Sequence, residues 1–559
     1  MNLRAILYVL GQVCQAEAAF LLLPMICALC YQEYRVALIY FLVALLCLGL
    51  GFLMTYGRKS VGRFRAREGM AATGLAWILM SILGSLPFIL AGEIPNPVDA
   101  FFETVSGFTT TGSTIIPDLS TISHGSLFWR SFTRWIGGMG VLVFLLALLP
   151  STSAKFMNLM IAESPGPDVS KLVPKVKDTA KTLYVMYIGL TLIQIVFLLL
   201  AGMPLFDTLC LTMGTAGTGG FAVRGNGFDD YTMLQQGIIA IFMMLFGINF
   251  SFYFLLLRHK WKQAFHMEEV LTYIGIILVV TFVVVLSVRG MFPDIWQAIH
   301  HVFFTVSSLI TTTGYATVDF NLWTPLARTL LVMIMFIGAC AGSTGGGIKV
   351  SRFNVMIKGI KKEFRNLLHP GLVEKVQMDG KPIAHETVRS INVFLSIYLI
   401  VFVSVLLIIT IDGKDLVTNF TAVAATINNI GPGLSDVGPM STFAGFSNLS
   451  KLALSFAMLA GRLELLPIIL LMVPAMWRGT HRITKRDLSE RKEEREKAHS
   501  KKEEPDSVWA SEEQNSADSR PTPPPVRKHV RTPEEEDDPE VAARRRSRRI
   551  AGLSAVIHI

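Results

Sequence analysis

Apolar runs of about 20 residues, the length that crosses a bilayer as a helix, recur through most of this chain, and short polar segments interrupt them. The plainest of these is Ser307-Ser-Leu-Ile-Thr-Thr-Thr-Gly-Tyr-Ala-Thr317, which is β-branched and broken by a glycine. Ser106-Gly-Phe-Thr-Thr-Thr-Gly-Ser-Thr114 is a close copy; Gly214-Thr-Ala-Gly-Thr-Gly-Gly-Phe221 and Ala425-Thr-Ile-Asn-Asn-Ile-Gly-Pro432 are weaker ones. Irregular backbone at membrane depth is tolerated where protein buries it or where it lines a watery cavity. Four such segments in one apolar chain therefore read as four quarters of one ring. Charged residues make up only 17% of the 559 residues and the mean hydropathy is +0.49, a composition that excludes an ordinary soluble domain.

The chain opens with two apolar runs, near Ile6 to Tyr31 and Val36 to Tyr56, followed by the basic cluster Arg58, Lys59, Arg63, Arg65 and Arg67. The first run continues into the second without a small-residue cleavage site, so no cleavable signal peptide is expected. One unit then recurs four times: an apolar helix, a short half-helix ending in the polar segment, and a second apolar helix. The expected divisions are 1–66 for the N-terminal helix pair and 67–180, 181–265, 266–385 and 386–478 for the four units. Connectors between units carry Lys155, Lys171, Lys175, Lys177 and Lys181, then Arg258, Lys260 and Lys262, then Arg352, Lys358, Lys361, Lys362 and Arg365. Loops beside the polar segments carry Glu93, Asp118, Asp229, Asp230, Asp319, Asp412 and Asp436, with Arg224 and Arg289 as exceptions. The lysine and arginine bias puts both termini in the cytoplasm and opens the polar segments outward. This gives ten spanning helices and four re-entrant loops: an all-α polytopic membrane protein of four pseudo-repeated units around one central pore, plus an N-terminal pair. Residues 479–559, with Pro521-Thr-Pro-Pro-Pro525 and Arg544-Arg-Arg-Ser-Arg-Arg549, are too polar to fold alone and are expected to be a disordered cytoplasmic tail. The net charge of +9 follows membrane topology, and no nucleic-acid partner is indicated.

Aligned on Gly112, Gly220, Gly314 and Gly431, the segments place Thr110, Thr218, Thr312 and Asn429 two residues earlier and Thr111, Gly219, Thr313 and Ile430 one residue earlier. Glycine lets four backbones crowd around an axis, and a ring of carbonyls replaces the water shell of a monovalent cation without a fixed negative charge. Potassium, whose shell is cheaper to strip than that of sodium, is the natural ion. Asp99, Glu103, Asp207 and Asp294, on or near the half-helices, either focus cations at the mouth or are ordinary loop charges. Gly338-Ala-Cys-Ala-Gly-Ser-Thr-Gly-Gly-Gly-Ile-Lys349 is too glycine-rich for a regular helix, at about 1 kcal/mol per glycine. It reads as a gate loop involving Gly338, Gly342, Ser343, Thr344, Gly345, Gly346, Gly347 and Lys349, or as a close helix contact; it lacks Walker spacing. Arg462 lies at membrane depth and needs a partner or a wet cavity: the glycine loop or helix-end carbonyls in the pore, or else a structural tie. The six cysteines, Cys27 and Cys30 included, read as small hydrophobic residues, and His300 and His301 as packing or surface residues.

Phe128-Trp-Arg-Ser-Phe-Thr-Arg-Trp-Ile-Gly-Gly-Met-Gly140, Ala162-Glu-Ser-Pro-Gly-Pro167, Gly338 to Lys349 and Asn428-Asn-Ile-Gly-Pro-Gly-Leu434 together resemble the Trk/Ktr/HKT potassium transporters, over about residues 1 to 480. The resemblance implies a homodimer in the bacterial inner membrane, each chain holding one four-quarter pore. It also implies a cytosolic ring of nucleotide-binding subunits, sensing NAD or ATP, that controls the glycine-rich gate. It makes Gly112, Gly220, Gly314 and Gly431 the filter glycines, Gly345 to Gly347 part of the gate and Arg462 its latch. The second and fourth segments depart from Thr-Thr-Thr-Gly, an asymmetry that suggests weaker selectivity than a fourfold symmetric channel has.

The expectation is a potassium uptake protein, embedded in lipid, with K+ as transported ion, no bound cofactor and no enzymatic activity. A sodium- or proton-coupled symporter is the alternative; it needs internal acids, and the spans offer few beyond Glu464. A membrane-embedded enzyme needs a nucleophile or metal cluster, and none converges.

Overall fold

The computed structural model describes residues 3–57, 66–140, 176–225, 227–369 and 375–477, all within the unit Met1–Gly479. The basic residues Arg58 to Arg65, the connector lysines Lys155, Lys171 and Lys175, the Ala162–Pro167 motif and the 479–559 tail lie outside the described residues.

Helices α1 (Leu3–Cys30) and α2 (Tyr34–Thr55) form an antiparallel pair whose backbones nearly touch. A Cβ added to Gly11 would lie 2.8 Å from the Gly51 carbonyl oxygen, and one added to Gly51 would lie 2.8 Å from that of Gly11. Small residues at a crossing let helices pack closely in lipid. The pair leans on α3 (Ala66–Ala91) and α5 (His124–Met139).

Between these two, α4 (Pro97–Phe108) is a half-helix. Asn96 caps it by accepting from the Val98 N–H at 3.0 Å, and Pro97 takes the first position, where its missing N–H costs nothing. The second unit repeats the pattern with α6 (Val176–Leu200), α7 (Leu205–Gly217) and the broken pair α8 (Met233–Phe246) and α9 (Phe250–Leu257). The third has α10 (Glu268–Val288), α11 (Ile295–Ile310) and α12 (Pro325–Ile337), with α13 (Val350–Leu368) beyond the glycine-rich loop. The fourth has α14 (His385–Ile409), α15 (Leu416–Ile427), α16 (Asn448–Arg462) and α17 (Leu466–Met472).

The packing closes these units into a cycle. The second helix of each unit packs on the half-helix of the next: α5 on α7, α8 on α11, α12 on α15 and α16 on α4. The interior is polar and the exterior apolar: Thr110, Thr218, Thr312 and Asn429 are buried, whereas Leu45, Leu192, Phe282 and Leu399 are exposed. Such an inside-out distribution belongs to a multi-pass membrane protein.

Among the described residues, six helices, α1, α2, α3, α6, α10 and α14, are long and apolar enough to cross a membrane, and α8 with α9, bent by 89°, makes a seventh if counted as one span. The ten spanning helices expected from the sequence are thus not all straight. α8 stops at Gly247, and Asn249 recaps the chain as α9 by accepting from the Ser251 N–H at 2.9 Å. α12 stops at Gly338, and α16 turns out of register where Glu464 and Leu465 take positive φ, 55° and 68°. Among the described residues, the only strands form the two-stranded antiparallel hairpin of Gln377–Met378 with Lys381–Pro382, on the connector to the fourth unit.

Spans also hold more acid than their hydropathy suggests. Beyond Glu464, Glu17 on α1, Glu103 on α4 and Glu269 on α10 are buried. Neither oxygen of Glu17 has a hydrogen-bond partner among the described residues.

Candidate functional site

All four half-helices end in the same way. The N–H of Thr111 donates to Ser106 O at 2.9 Å, and those of Gly219, Thr313 and Ile430 donate to Gly214, Ser308 and Ala425 O at 2.8 Å each. The preceding N–H groups, of Thr110, Thr218, Thr312 and Asn429, reach back to Gly107, Thr215, Leu309 and Thr426 O at 3.0–3.2 Å. This nested pair of bonds is the Schellman cap, which needs a left-handed residue just past the helix. Thr110, Thr218, Thr312 and Asn429 supply it with φ of 57°, 54°, 59° and 55°. Left-handed threonine is uncommon, and its recurrence at one aligned position turns each chain back toward the side it entered from. Each half-helix therefore points its C-terminal carbonyls, the negative end of its dipole, at the residues that follow.

Those residues meet in cyclic order. A Cβ on Gly112 would lie 3.0 Å from Gly220 N; one on Gly220 would lie 2.7 Å from Gly314 C; one on Gly314 would lie 2.9 Å from Pro432 Cδ and against the Ile430 carbonyl; one on Gly431 would lie 3.0 Å from Thr111 O. First, second, third and fourth loops thus close on the first. Gly112, Gly314 and Gly431 hold φ of 87°, 85° and 108°, where a side chain is strained and here would also strike the neighbouring loop. Asn429 Nδ2 to Thr111 Oγ1 at 2.9 Å and Ser113 Oγ to Gly431 O at 3.0 Å tie the fourth loop to the first. All four glycines border one cavity of about 180 Å³.

The glycine-rich loop lies on the opposite face of this ring. Gly346 N donates to Thr312 Oγ1 at 2.6 Å and Gly347 N to Asn428 O at 3.1 Å. Gly338 and Gly342 take φ of 75° and 67°; Ala339 N reaches Gly346 O, and the Gly342 carbonyl accepts from Phe250 N at 3.0 Å. Ser343 Oγ donates to Cys340 O, Thr344 Oγ1 to Phe246 O, and the buried Lys349 ammonium to Gly345 O. Arg462 donates to Thr344 O at 2.8 Å and to Gly137 and Gly138 O at 2.5 and 2.6 Å. Arg462 thus contacts the glycine-rich loop and the helix-end carbonyls of α5 at once, a geometry common to both readings of it. Glu464 pairs instead with Arg352.

The mouth is less acidic than the half-helix carboxylates suggested. Asp99 pairs with Lys451 at 2.6 Å, Asp207 with Arg224 at 2.6 Å and Glu103 with Arg130 at 2.6 Å. Arg130 and Arg224 line the cavity. Three of the four acids are thereby neutralised by cations from other elements. His300 and His301 hydrogen-bond Gln236 and Thr317, at 2.9 Å each, and all six cysteines are free thiols.

Two groups went unmarked in the sequence reading. Glu269 Oε1 accepts from Ala341 N at 2.6 Å and Ser351 N at 3.1 Å, pinning both limbs of the glycine-rich loop to α10. Arg130 and Arg134 clasp Phe221, with guanidinium carbons 3.6 and 3.2 Å from its ring centroid. Four-residue spacing of charges in an apolar run was the available signal.

Known proteins share this architecture. Residues 36–479 match the family model TrkH, cation transport protein. The Trk system potassium uptake protein TrkH of Salmonella typhimurium (strain LT2) is 35% identical over 490 residues, covering 86% of this chain and all of the relative. TrkG of Escherichia coli (strain K12), also a Trk system potassium uptake protein, is 34% identical, covering 86% and 99%. The crystal structure of the potassium transporter TrkH from Vibrio parahaemolyticus superposes with a TM-score of 0.75 at 30% identity, covering 86% of this chain and 100% of that one. The chain belongs to the TrkH family of cation transport proteins.

Proposed function

We propose that this chain takes potassium into the bacterial cell as the conducting subunit of a Trk-type system. The observation that carries the reading is the cyclic contact of four identically capped loops around one cavity. Thr110, Thr111 and Gly112, Thr218 to Gly220, Thr312 to Gly314 and Asn429 to Gly431 present backbone carbonyls and half-helix dipoles to a dehydrated cation, which needs no fixed negative charge at the site. The units 67–180, 181–265, 266–385 and 386–478 are its four quarters. The potassium uptake names of its relatives support the choice of ion.

The loop Gly338 to Lys349 is the gate, closed as it docks beneath the third and fourth filter loops, with Arg462 as its latch. A cytosolic NAD- or ATP-sensing subunit moves it, and two chains assemble as a homodimer in the inner membrane with both termini cytoplasmic. The chain contributes a path and a gate, with no catalysis of its own. The second reading, proton-coupled symport, draws on Glu17, since an ionisable side chain at membrane depth is a functional candidate by default. Rubidium flux into liposomes under opposed sodium, proton and voltage gradients separates the two. Flux that follows voltage and the rubidium gradient alone supports conduction; flux driven by a proton or sodium gradient against rubidium overturns it.

A further inference from the structure

Arg130 and Arg134 stand one helical turn apart on α5 with Phe221 between them. Two guanidinium groups that close to one ring centroid cannot share a face, so the residue after the second filter glycine is clasped from both sides. The two cations differ in what balances them. Arg130 Nε donates to Glu103 Oε1 at 2.6 Å, and Nη1 to the Ala222 carbonyl at 3.1 Å. Arg134 is fully buried, and none of its three side-chain nitrogens has a hydrogen-bond partner among the described residues.

Arg134 also abuts the wall of the ring. A Cβ on Gly219 would meet Arg134 Cδ at 2.8 Å, Thr110 Cα at 3.0 Å and Thr110 O at 3.1 Å. The second loop has Gly219 where the others have Thr111, Thr313 and Ile430, and this contact gives the departure a physical cause. Arg134 fills the space that a side chain would take. The same quarter of the ring therefore loses a hydroxyl and gains a buried cation behind it.

We propose that Arg134 is a fixed positive charge built into the filter wall, which weakens the hold of the ring on a permeating monovalent cation and so shortens its stay. The proposal rests on the conduction reading above. The ring carbonyls carry no net charge, so a unit charge a few ångström away weighs directly on the ion, even at an effective dielectric of about 20. Conduction requires a site strong enough to admit an ion and weak enough to release it. Phe221 lowers the cost of burying the guanidinium through its ring face without cancelling the field, as a carboxylate would.

The test is rubidium uptake by the full chain, in cells lacking other potassium uptake routes, for Arg134→Gln, Arg134→Met and Arg134→Lys. Both neutral variants should lower the half-saturating rubidium concentration about tenfold (about 1.4 kcal/mol) and reduce the maximal rate. Arg134→Lys, which keeps the charge, should stay near wild type. An unchanged half-saturation in the neutral variants, or the same drop in Arg134→Lys, would overturn the proposal. Failure of both neutral variants to reach the membrane would contradict it as well, because the charge would then be a requirement of folding. Gly314→Ser, run in parallel, keeps the two ideas apart. An unaltered rubidium-to-sodium ratio there defeats the filter assignment within the conduction reading, whereas an altered ratio beside unmoved Arg134 variants defeats this proposal alone.

Discussion

The backbone N–H of Gly346 donates to the hydroxyl of Thr312 at 2.6 Å, so the glycine-rich loop and the turn that ends α11 are joined by one hydrogen bond. The next residue repeats the contact on the fourth loop, Gly347 N to Asn428 O at 3.1 Å. Arg462 reaches the opposite side of the cycle, the carbonyls that end α5. The loop thus touches the third and fourth turns directly and the end of α5 through Arg462.

Thr312→Val keeps the β-branched shape and removes the acceptor. One lost hydrogen bond of about 1 kcal/mol should raise the released fraction of the loop about fivefold. Rubidium efflux from proteoliposomes holding the chain alone should rise accordingly, and Thr312→Ser should match wild type. Equal efflux in all three would detach this bond from gating.

Arg462→Gln breaks the bridge among Thr344, Gly137 and Gly138. Bonds to charged donors contribute about 1.5–3 kcal/mol each, so efflux should rise further than in Thr312→Val. A rate below that of Thr312→Val would assign Arg462 to structure instead.

Glu103 and Arg130 form a buried ion pair, and Glu103 also accepts from Thr114 Oγ1 at 3.0 Å and Ile115 N at 2.9 Å. Removing one partner strands the other charge. Glu103→Gln should therefore destabilise by about 3–5 kcal/mol, and the double variant with Arg130→Met should recover much of that. Thermal unfolding in detergent measures both; additive losses would mean that the pair is not coupled.

Asp415 caps α15 from the loop before it, accepting from Val417 N at 3.1 Å, Thr418 N at 3.2 Å and the Thr418 hydroxyl. These bonds, the hydroxyl first, hold its pKa below the usual carboxylate value. The charged form is thus favoured by folding. Its stabilisation is complete above the unfolded value of about 4 and lost as pH falls through the lower native value. Asp415→Ala should cost about 1 kcal/mol at neutral pH and less in acid below that window. An equal cost at both would show that the carboxylate charge contributes nothing.

The loops were legible because glycine and threonine stand out against apolar sequence, and their four copies align on Gly112, Gly220, Gly314 and Gly431. The left-handed turn at Thr110, Thr218 and Thr312 was not, since local propensity assigns that conformation to glycine and the cap forms only once the half-helix is held in place. The pairing of the acids at the mouth was not legible either, for a related reason. Asp99 meets Lys451 and Asp207 meets Arg224, and sequence shows where an acid is but not which distant cation the fold delivers to it. Hydropathy likewise counted apolar residues through Gly247 without marking where the backbone turns, whereas the glycines from Gly338 onward did mark the second break. Arg134 was visible as a charge in an apolar run, yet its bearing on Gly219 depends on two units meeting side by side.

The central claim is that the four glycine loops choose the ion. Gly314→Ser forces a side chain at φ 85° against the Ile430 carbonyl of the next loop, which must open the ring on that side. The direct measurement is the ratio of rubidium to sodium uptake in potassium-depleted cells that rely on this chain. The account predicts a ratio well below wild type, with sodium entry gained as rubidium preference is lost. An unchanged ratio at undiminished flux would contradict it.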